Sequence, residues 1–272
     1  MKKNKPFLKW AGNKYRCLHH ILPALPPANR LIEPFTGSGA VFLNADYSHY
    51  LLAEENDDLI ILFQHLKSEG DSFISYCKSF FCPENNSQAA FNRLREQFNR
   101  DPDKRLRAAL FLYLNRHGYN GLCRYNQSGV YNVPFGRYAK PYFPLAEMHF
   151  FHQKSQRTIF VQGDFRATFA KATNGDLIYC DPPYAPLIQS SNFSAYTPNK
   201  FGEPEQILLA ELAMTYAKKG VTVVISNHDT QFTRHHYREA LITSFPVSRL
   251  ISCNIDQRVP VVELLAVFQG AL

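Results

Sequence analysis

The stretch that decides the fold is Gly175-Asp-Leu-Ile-Tyr-Cys-Asp-Pro-Pro-Tyr184. Its apolar run, Leu177–Cys180, follows a Gly-Asp pair and has the pattern of a strand that is buried on both faces. The residue before a proline is held outside the helical region, so Asp181 should end this extended segment. Open α/β sheets bind their ligands at the carboxyl ends of parallel strands. The sequence therefore predicts an α/β fold with Asp181-Pro-Pro-Tyr184 at the ligand-binding edge of its sheet.

The residues of this motif suit methyl transfer to the exocyclic amine of an aromatic base. Such an amine becomes nucleophilic when its two N–H groups are held while the nitrogen turns tetrahedral, and the Asp181 carboxylate with the Pro182 carbonyl can hold them. Tyr184 offers a face on which an extruded base can stack. These three residues are the predicted catalytic residues. An ordinary strand-ending turn is the alternative, because Asp and Pro are common turn residues.

A second motif, Glu33-Pro-Phe-Thr-Gly-Ser-Gly39, follows the first predicted strand. Glycines at positions 37 and 39 let the backbone approach a ligand at a helix N-terminus. An acid at the tip of the next strand can accept hydrogen bonds from two ribose hydroxyls, and Glu54 lies 17 residues after Gly37. The pattern favours an adenosine-bearing cofactor over a plain tight turn.

Strands and helices alternate on both sides of one long insert. We expect strands over residues 30–34, 49–53, 158–162, 177–180, 221–226, 248–253 and 261–268, and helices over residues 41–44, 57–69 and 203–219. The region from residue 71 onward shows mostly helical spacing and then a tyrosine-rich stretch, which indicates an inserted domain. The predicted architecture is a Rossmann-like sheet with helices on both faces, formed by residues 1–56 and 145–272, with a mainly helical domain inserted over residues 57–144.

The charge of the chain favours an acidic partner. Its formal net charge is +7 and its pI is about 9.0. Residues 1–16 and 111–142 hold basic side chains and no acid, which suggests contact with a polyanion. A surface of solvated lysines is the alternative.

Residues 118–137 are rich in Gly, Asn, Tyr and Arg, which is poor material for a core. Arg can contact guanine, Asn can pair with adenine, and Leu or Pro can contact a thymine methyl group, while Tyr can wedge into a base step. We therefore expect this segment to contact nucleic acid. An aromatic loop packed on its own domain is the alternative.

The cysteines indicate a reducing compartment, and neither the cysteines nor the histidines indicate a metal site. Six cysteines show neither metal-binding spacing nor the density of a disulfide scaffold, so we expect a reducing, cytoplasmic compartment. No apolar run approaches the roughly 20 residues of a membrane span, and no signal-peptide core follows the basic N-terminus. Neighbouring histidines at 19–20 and 235–236 lack companion ligands, so we expect no metal site.

Four segments together resemble the Dam-type DNA adenine N6-methyltransferases. They are Phe7-Leu-Lys-Trp-Ala-Gly-Asn-Lys14, the Glu33–Gly39 loop, residues 111–137 and Cys180-Asp-Pro-Pro-Tyr184. Their order, with the cofactor loop first, the recognition insert second and Asp-Pro-Pro-Tyr third, is similar to that of the alpha group of amino-methyltransferases. The likeness covers nearly the whole chain.

The resemblance implies a site-specific adenine methyltransferase that uses S-adenosyl-L-methionine. It implies that the target is the adenine of G-A-T-C in double-stranded DNA, flipped out of the duplex and attacking the methyl group directly. The implied cofactor-binding residues are Trp10, Lys14, Phe35, Gly37, Gly39, Glu54, Asp164, Phe165 and Asp181. The implied DNA-binding residues are Lys9, Tyr119, Asn120, Leu122, Arg124, Asn126, Asn132, Pro134 and Arg137. We expect this enzyme to be a cytoplasmic monomer without a metal and without membrane attachment.

Three places depart from the family's pattern. Asn13 stands where the family commonly has a second glycine, and Glu54 stands where aspartate is usual, so we expect the cofactor affinity to differ. The stretch Asn254–Pro260 lacks the glycines and lysines expected there. Each lost phosphate contact would reduce the salt dependence of DNA binding by about one unit.

Other activities compete with this interpretation. An amino-methyltransferase acting on cytosine N4, RNA or a protein glutamine remains open, although a segment suited to reading a duplex argues against it. A DNA-binding protein that keeps the fold without catalysis also remains open, although the intact Asp181 and Tyr184 argue against it. Methylation of cytosine C5 is disfavoured, because it needs a cysteine nucleophile in a Pro-Cys context and this chain has the reverse, Cys82-Pro83.

Overall fold

The computed structural model of the chain describes residues 3–184, 201–247 and 261–270. The strands are β1 Arg30–Glu33, β2 His49–Glu54, β3 Thr158–Gln162, β4 Leu177–Cys180, β5 Thr222–His228, β6 Leu241–Val247 and β7 Val261–Phe268. The helices are α1 Leu18–Ile21, α2 Asp57–Glu69, α3 Asp71–Ser79, α4 Gln88–Arg100, α5 Lys104–His117, α6 Leu145–Ser155, α7 Phe165–Phe169, α8 Glu203–Ala217 and α9 Gln231–His236.

These strands form one sheet in the order β3-β2-β1-β4-β5-β7-β6. Strand β4 pairs in parallel with β1 on one side and with β5 on the other, whereas β7 runs antiparallel to β5 and β6. All four residues of β4 are buried, as a central strand covered on both faces requires. The predicted α/β class is confirmed, and the strands predicted at residues 158–162 and 177–180 are confirmed residue for residue.

Because β1 and β4 are parallel neighbours, the segments that follow them leave the same edge of the sheet. Pro34 and Phe35 begin the first of these segments, and Asp181 begins the second. This is the edge at which open α/β sheets bind ligands.

One apolar cluster fixes the elements around β4. Ile178 and Val223 from the sheet pack with Leu209 and Ala213 of α8 and with Phe169 of α7, and all five are fully buried. Burial of side chains the size of Val, Leu, Ile and Phe stabilises a fold by roughly 1.5–3 kcal/mol each. The cluster therefore holds α8 firmly against the central strands.

The helix predicted at residues 41–44 is wrong, because this stretch forms successive turns. The Asn44 N–H donates to the Val41 carbonyl, three residues back, instead of the Ala40 carbonyl, four residues back. The Asn44 side chain takes that Ala40 carbonyl at 2.8 Å and also exchanges two hydrogen bonds with the backbone of Asn4. A side chain that competes for backbone acceptors disfavours a helix, so the glycine loop is not followed by a helix N-terminus.

The last part of the sheet also differs from the prediction. Strand β6 covers Leu241–Val247, earlier than the predicted strand at residues 248–253, and β5 extends to His228. Residues 248–253 and the Asn254–Pro260 stretch lie outside the described residues.

The chain clusters into two compact units. The first unit comprises Met1–Arg16, Thr36–Ala45 and Leu52–Gly163, and the second comprises Cys17–Phe35, Asp46–Leu51 and Asp164–Leu272. The division into a catalytic part and an insert at residues 57–144 stays a prediction. None of the helices in the described part of the chain is long and apolar enough to cross a membrane.

Candidate active site and nucleic-acid interface

The glycine loop of the first unit joins three of the predicted cofactor-binding residues. Gly37 has a φ of +49° and donates its N–H to Glu54 Oε2 at 3.1 Å. A Cβ atom at Gly37 would lie 3.0 Å from Trp10 Nε1 and 3.1 Å from its Cδ1. Only glycine suits both the backbone conformation and the close indole ring. Gly39, with a φ of +72°, closes the turn by donating to the Thr36 carbonyl at 2.9 Å.

Glu54 accommodates its extra methylene by folding back. Its second oxygen, Oε1, accepts the N–H of the next residue, Glu55, at 3.1 Å. Burial raises the pKa of Glu54 above its usual value, while the N–H donors of Gly37, Asn56 and Glu55 act in the opposite direction. Each carboxylate oxygen has a second lone pair, so Glu54 can still accept from a ligand hydroxyl.

The turn after Trp10 shows how Asn13 can replace the glycine that the family commonly has at this position. Asn13 Nδ2 donates to the Trp10 carbonyl at 2.9 Å, and Asn13 Oδ1 accepts the Tyr15 N–H at 3.2 Å. The asparagine side chain thus stabilises the turn that a glycine would form by backbone freedom. Lys14 is buried there and donates to the Gly12 carbonyl at 2.9 Å.

Residues 118–137, which we call the recognition segment, form an irregular hairpin in the first unit. Bridges join Gly118 to Phe135 and Tyr125 to Tyr131, and the Tyr119 N–H donates to the Pro134 carbonyl at 2.9 Å. Its side chains divide by exposure, because Tyr131 is buried whereas Tyr119 is 51% exposed. The predicted DNA-binding residues that are exposed are Tyr119, Asn120, Arg124, Asn126, Pro134 and Arg137, and Leu122 and Asn132 are partly buried.

Two predicted DNA-binding residues of the recognition segment, Arg124 and Asn132, are hydrogen-bonded to each other. Arg124 Nε donates to Asn132 Oδ1 at 2.8 Å, and Arg124 Nη2 donates to the Asn132 carbonyl at 3.2 Å. Asn126 instead shapes the tip, since its Oδ1 accepts the N–H groups of Ser128 and Val130. The Arg124–Asn132 pair presents a guanidinium in a defined orientation.

Lys9 is held at the end of α5 by a residue that the sequence did not single out. Asn115 accepts the Lys9 N–H at 2.9 Å, and its amide donates to the carbonyls of Lys9 at 2.7 Å and Gly121 at 3.2 Å. A Cβ at Gly121 would collide with the Lys9 side chain. The Lys9 Nζ atom lies 4.1 Å from the centre of the Tyr138 ring. The apolar run around Asn115 suggested only a buried helix.

In the second unit, Ser226 and Gln206 hold the first and third positions of the Asp181–Tyr184 motif by hydrogen bonds. Asp181 Oδ1 accepts from the Ser226 hydroxyl at 3.1 Å, and the Pro183 carbonyl accepts from Gln206 Nε2 at 2.6 Å. The carboxylate of Asp181 is therefore engaged at the end of β4 and not packed into the apolar cluster. Ser226 and Gln206 were not predicted from the sequence.

Tyr184 contacts residues of two neighbouring strands, β5 and β7. Its hydroxyl donates to Glu263 Oε2 at 3.1 Å, and its ring meets the His228 ring edge to face, with the centres 4.7 Å apart. Burial, followed by the charges of Asp181 and Glu263, raises the pKa of Tyr184 well above its usual value. The phenol therefore keeps its proton and acts as a donor.

Phe35 and Phe165, two predicted cofactor-binding residues, form an aromatic group with Phe201 in the second unit. The three ring centres are 5.4 to 5.6 Å apart. Next to them, Asp164 caps α7 by accepting the Ala167 N–H at 2.9 Å. Burial opposes the effect, but this N–H and the Arg166 guanidinium lower the pKa of Asp164. Phe201 is a further residue that the sequence did not single out.

Comparison with known proteins identifies the family. Residues 10–249 match the family described as D12 class N6 adenine-specific DNA methyltransferase. The chain belongs to this family. A DNA adenine methylase of Serratia marcescens is 50% identical over 270 residues, which cover 99% of this chain and 100% of that protein. DNA adenine methylases of Vibrio cholerae and Escherichia coli K12 are 49% and 48% identical over 269 residues, covering 98% and 99% of this chain and 97% of each relative.

Membership in this D12 class confirms the resemblance inferred from the motifs and narrows the alternatives. The chain is an adenine-specific DNA methyltransferase, so adenine N6 of DNA is the acceptor. A non-catalytic protein on the same fold and an enzyme for cytosine N4 or RNA are correspondingly disfavoured. Across the described residues, no group of three or more His, Cys, Asp or Glu side chains is placed to hold a metal ion.

Proposed function

We propose that this methyltransferase moves the methyl group of S-adenosyl-L-methionine to N6 of the adenine in G-A-T-C of double-stranded DNA, after the adenine leaves the helix. The observation that carries the proposal is the Asp181 carboxylate, held by Ser226 at the end of β4 and followed directly by Pro182. A carboxylate oxygen and a proline carbonyl are the two acceptors that the two N–H groups of N6 require.

The two acceptors bind different N–H groups of the amine. Asp181 and the Pro182 carbonyl each accept one N–H, which draws the nitrogen lone pair out of the ring. When bound, S-adenosyl-L-methionine would supply the methyl group of its sulfonium, and in-line transfer of that methyl group to N6 would leave the sulfur as a neutral thioether, without a covalent enzyme intermediate. The methylated amine is acidic, so its proton passes to Asp181 or to water. Tyr184 stacks on the extruded base.

Residues of the first unit fit one part of the cofactor. A Cβ atom at Gly37 would lie 3.0 Å from Trp10 Nε1, so the glycine lets the indole ring lie directly against the loop backbone. We assign the ribose hydroxyls to Glu54 and the loop backbone to Gly37 and Gly39. Lys14 is assigned to the methionine carboxylate.

Residues of the second unit fit another part of the cofactor. Phe35 and Phe165 offer aromatic faces beside Asp164, and we assign these three residues to the adenine ring of the cofactor. Asp181 borders the transferred methyl group.

The sequence preference is assigned to the recognition segment. Exposed Arg124 suits guanine, Leu122 and Pro134 suit a thymine methyl group, and exposed Tyr119 suits the step that the adenine vacates. Lys9, Asn120, Asn126 and Asn132 complete the base and backbone contacts, and Arg137 is assigned to a phosphate. The net charge of +7 supports binding of a polyanion.

The experiment that tests this function measures transfer of radiolabelled methyl from S-adenosyl-L-methionine. The substrates are duplexes that carry G-A-T-C or a site changed at one base pair, and matched single strands of DNA and RNA. Product bases are separated by chromatography. We expect N6-methyladenine from the G-A-T-C duplex and at least tenfold less from each changed site. Equal transfer to all duplexes would contradict the assigned site, and N4-methylcytosine as the product would contradict the acceptor.

We further propose that the protein is a monomer in a reducing cytoplasm. Five described cysteines, at positions 17, 77, 82, 123 and 180, are free thiols, which supports a reducing compartment. Light scattering of the purified chain tests the oligomeric state, and a mass of two chains at micromolar concentration would contradict the monomer.

A further inference from the structure

Two residues at the carboxyl end of β5 contact the catalytic motif, Ser226 at Asp181 and His228 at Tyr184. Asn227 between them binds Gln206, which donates to the Pro183 carbonyl. This end reads Ser226-Asn227-His228, and Ile225, just before it, is paired with Cys180, just before Asp181. Successive side chains of a strand point to opposite faces. Ser226 and His228 therefore lie on one face of the sheet, and Asn227 lies on the other.

The Ser226 hydroxyl is the centre of a buried chain of hydrogen bonds. Its Oγ atom lies 3.1 Å from Asp181 Oδ1, 3.0 Å from the Tyr179 hydroxyl and 3.3 Å from the Cys180 carbonyl. Ser226 is 0% exposed and Tyr179 is 2% exposed, so water cannot readily replace either partner.

The chemistry of these groups fixes the direction of the protons. An ionised carboxylate only accepts hydrogen bonds, and a serine hydroxyl has one proton to donate. Burial and the charge of Asp181 raise the pKa of Tyr179 well above its usual value, so its phenol stays protonated. Of the two acceptors of Ser226, the Asp181 carboxylate at 3.1 Å is charged and nearer than the Cys180 carbonyl at 3.3 Å, so Ser226 donates to Asp181. Tyr179 then donates to Ser226.

We propose that Ser226, supported by Tyr179, is a positioning residue for methyl transfer that holds the Asp181 carboxylate in orientation before the amine arrives. This inference rests on the proposed role of Asp181. A carboxylate that is already oriented does not have to reorganise during the reaction, which is the physical basis of electrostatic catalysis.

The next residue of β5 supports the same interpretation from the other face. Asn227 Nδ2 donates to Gln206 Oε1 at 3.0 Å and to the Tyr237 hydroxyl at 3.1 Å. Gln206 then donates to the Pro183 carbonyl at 2.6 Å. Of the two proline carbonyls, that of Pro183 has a structural partner, whereas no hydrogen bond from a described side chain or backbone group reaches that of Pro182. Gln206 thereby fixes the turn and leaves the Pro182 carbonyl for the amine.

The test compares single-turnover rates of methyl transfer, with enzyme in excess over a G-A-T-C duplex. Ser226→Ala should lower this rate about tenfold or more, which is the usual effect of a lost hydrogen bond to a charged group. The dissociation constants for DNA and for S-adenosyl-L-methionine should stay within about twofold. Ser226→Thr keeps the hydroxyl and should restore most of the rate.

A matched control is Ser155→Ala, which removes another fully buried serine hydroxyl, one that donates to the His152 carbonyl in α6. Its transfer rate should equal that of the wild type. Tyr179→Phe is the second variant and should lower the rate about threefold, because Ser226 loses the donor that directs its proton toward Asp181. If Ser226→Ala does not fold, the Tyr179→Phe rate decides the proposal.

Two results would overturn the positioning role. The first is a wild-type transfer rate in folded Ser226→Ala, and the second is a fall in rate that Ser226→Thr does not reverse. Failure of the proposed function is distinguishable, because full activity of Asp181→Ala would remove the role of the carboxylate itself. An inactive Asp181→Ala together with a fully active Ser226→Ala would overturn only this inference.

Discussion

The recognition segment and the Asp181–Tyr184 motif hold their functional side chains in opposite ways. In the recognition segment, exposed Arg124 donates to Asn132 of the same hairpin. In the motif, Asp181 and Pro183 are each held by a fully buried polar side chain, Ser226 and Gln206. A surface that binds a partner can rely on hydrogen bonds between residues close in sequence. A reacting carboxylate needs rigid, buried hydrogen-bond partners.

This difference predicts that changes in the two regions have separable effects. Changes in the motif and its support should lower the rate of methyl transfer on every DNA sequence. Changes in the recognition segment should alter the preference among sequences. Changes in the glycine loop should act on cofactor affinity.

The largest effect is expected for Asp181→Ala. The amine loses one of its two acceptors, so the single-turnover rate should fall by about 100- to 1000-fold or more. DNA affinity, measured by fluorescence anisotropy, should stay within a few-fold. Asp71→Ala removes a carboxylate whose side chain is 83% exposed in α3 and serves as the control. A substantial rate in Asp181→Ala would contradict the comparison.

The second-largest effect is expected for Arg124→Ala, because the Arg124 guanidinium is assigned to a base contact. A bidentate contact contributes roughly 1–3 kcal/mol of discrimination between base pairs. We compare the transfer rate on G-A-T-C with the rate on a site in which the G·C pair contacted by Arg124 is replaced. The ratio of these two rates should fall about tenfold in the variant. Arg100→Ala, which removes an exposed arginine paired with Glu96 in α4, should leave the ratio unchanged. An unchanged ratio in Arg124→Ala would contradict its role.

Gly37→Ala should weaken cofactor binding by about fivefold to tenfold. The new Cβ would crowd Trp10, and the φ of +49° would be strained for alanine. Calorimetric titration with S-adenosyl-L-methionine measures the effect. Gly163→Ala is the matched control, because no heavy atom lies within 4 Å of its added Cβ. Equal affinities of the two variants would contradict the assignment of the loop.

The smallest effect is expected for Glu54→Gln, in the pH dependence of its melting temperature. A pKa raised by burial means that the ionised carboxylate costs folding stability once the pH exceeds its usual value, and the cost is complete above the raised value. The melting temperature of Glu54→Gln relative to the wild type should therefore be higher at about pH 8 than at about pH 5, by up to a few degrees. Cofactor affinity should fall in the same variant. A relative melting temperature that declines with rising pH would contradict the pKa direction.

The sequence predicted the elements whose signals are local. Leu177–Cys180 is an apolar run ended by Asp-Pro, and α2 is capped by Asn56, whose side chain accepts the Leu59 N–H at 3.2 Å. The helix predicted at residues 41–44 was wrong because its deciding contact joins Asn44 to Asn4, 40 residues away. Strand β6 was missed because most of its residues are exposed or partly buried and it contains Pro246.

The same limit applies to the functional residues. Motif resemblance suggested Asp181 and Tyr184 directly, but their supports are distant in sequence. Ser226 is 45 residues from Asp181 and Glu263 is 79 residues from Tyr184. Only the polar Ser-Asn-His run at the end of an apolar strand signalled such a role, and its partners depend on the order of the strands in the sheet.

The most direct test of the separation between the two regions is the ratio of single-turnover rates on G-A-T-C and on a site changed at one base pair, measured for Ser226→Ala and Arg124→Ala. We predict that Ser226→Ala lowers both rates equally and keeps the wild-type ratio, whereas Arg124→Ala lowers the ratio. A changed ratio in Ser226→Ala together with an unchanged ratio in Arg124→Ala would contradict the account.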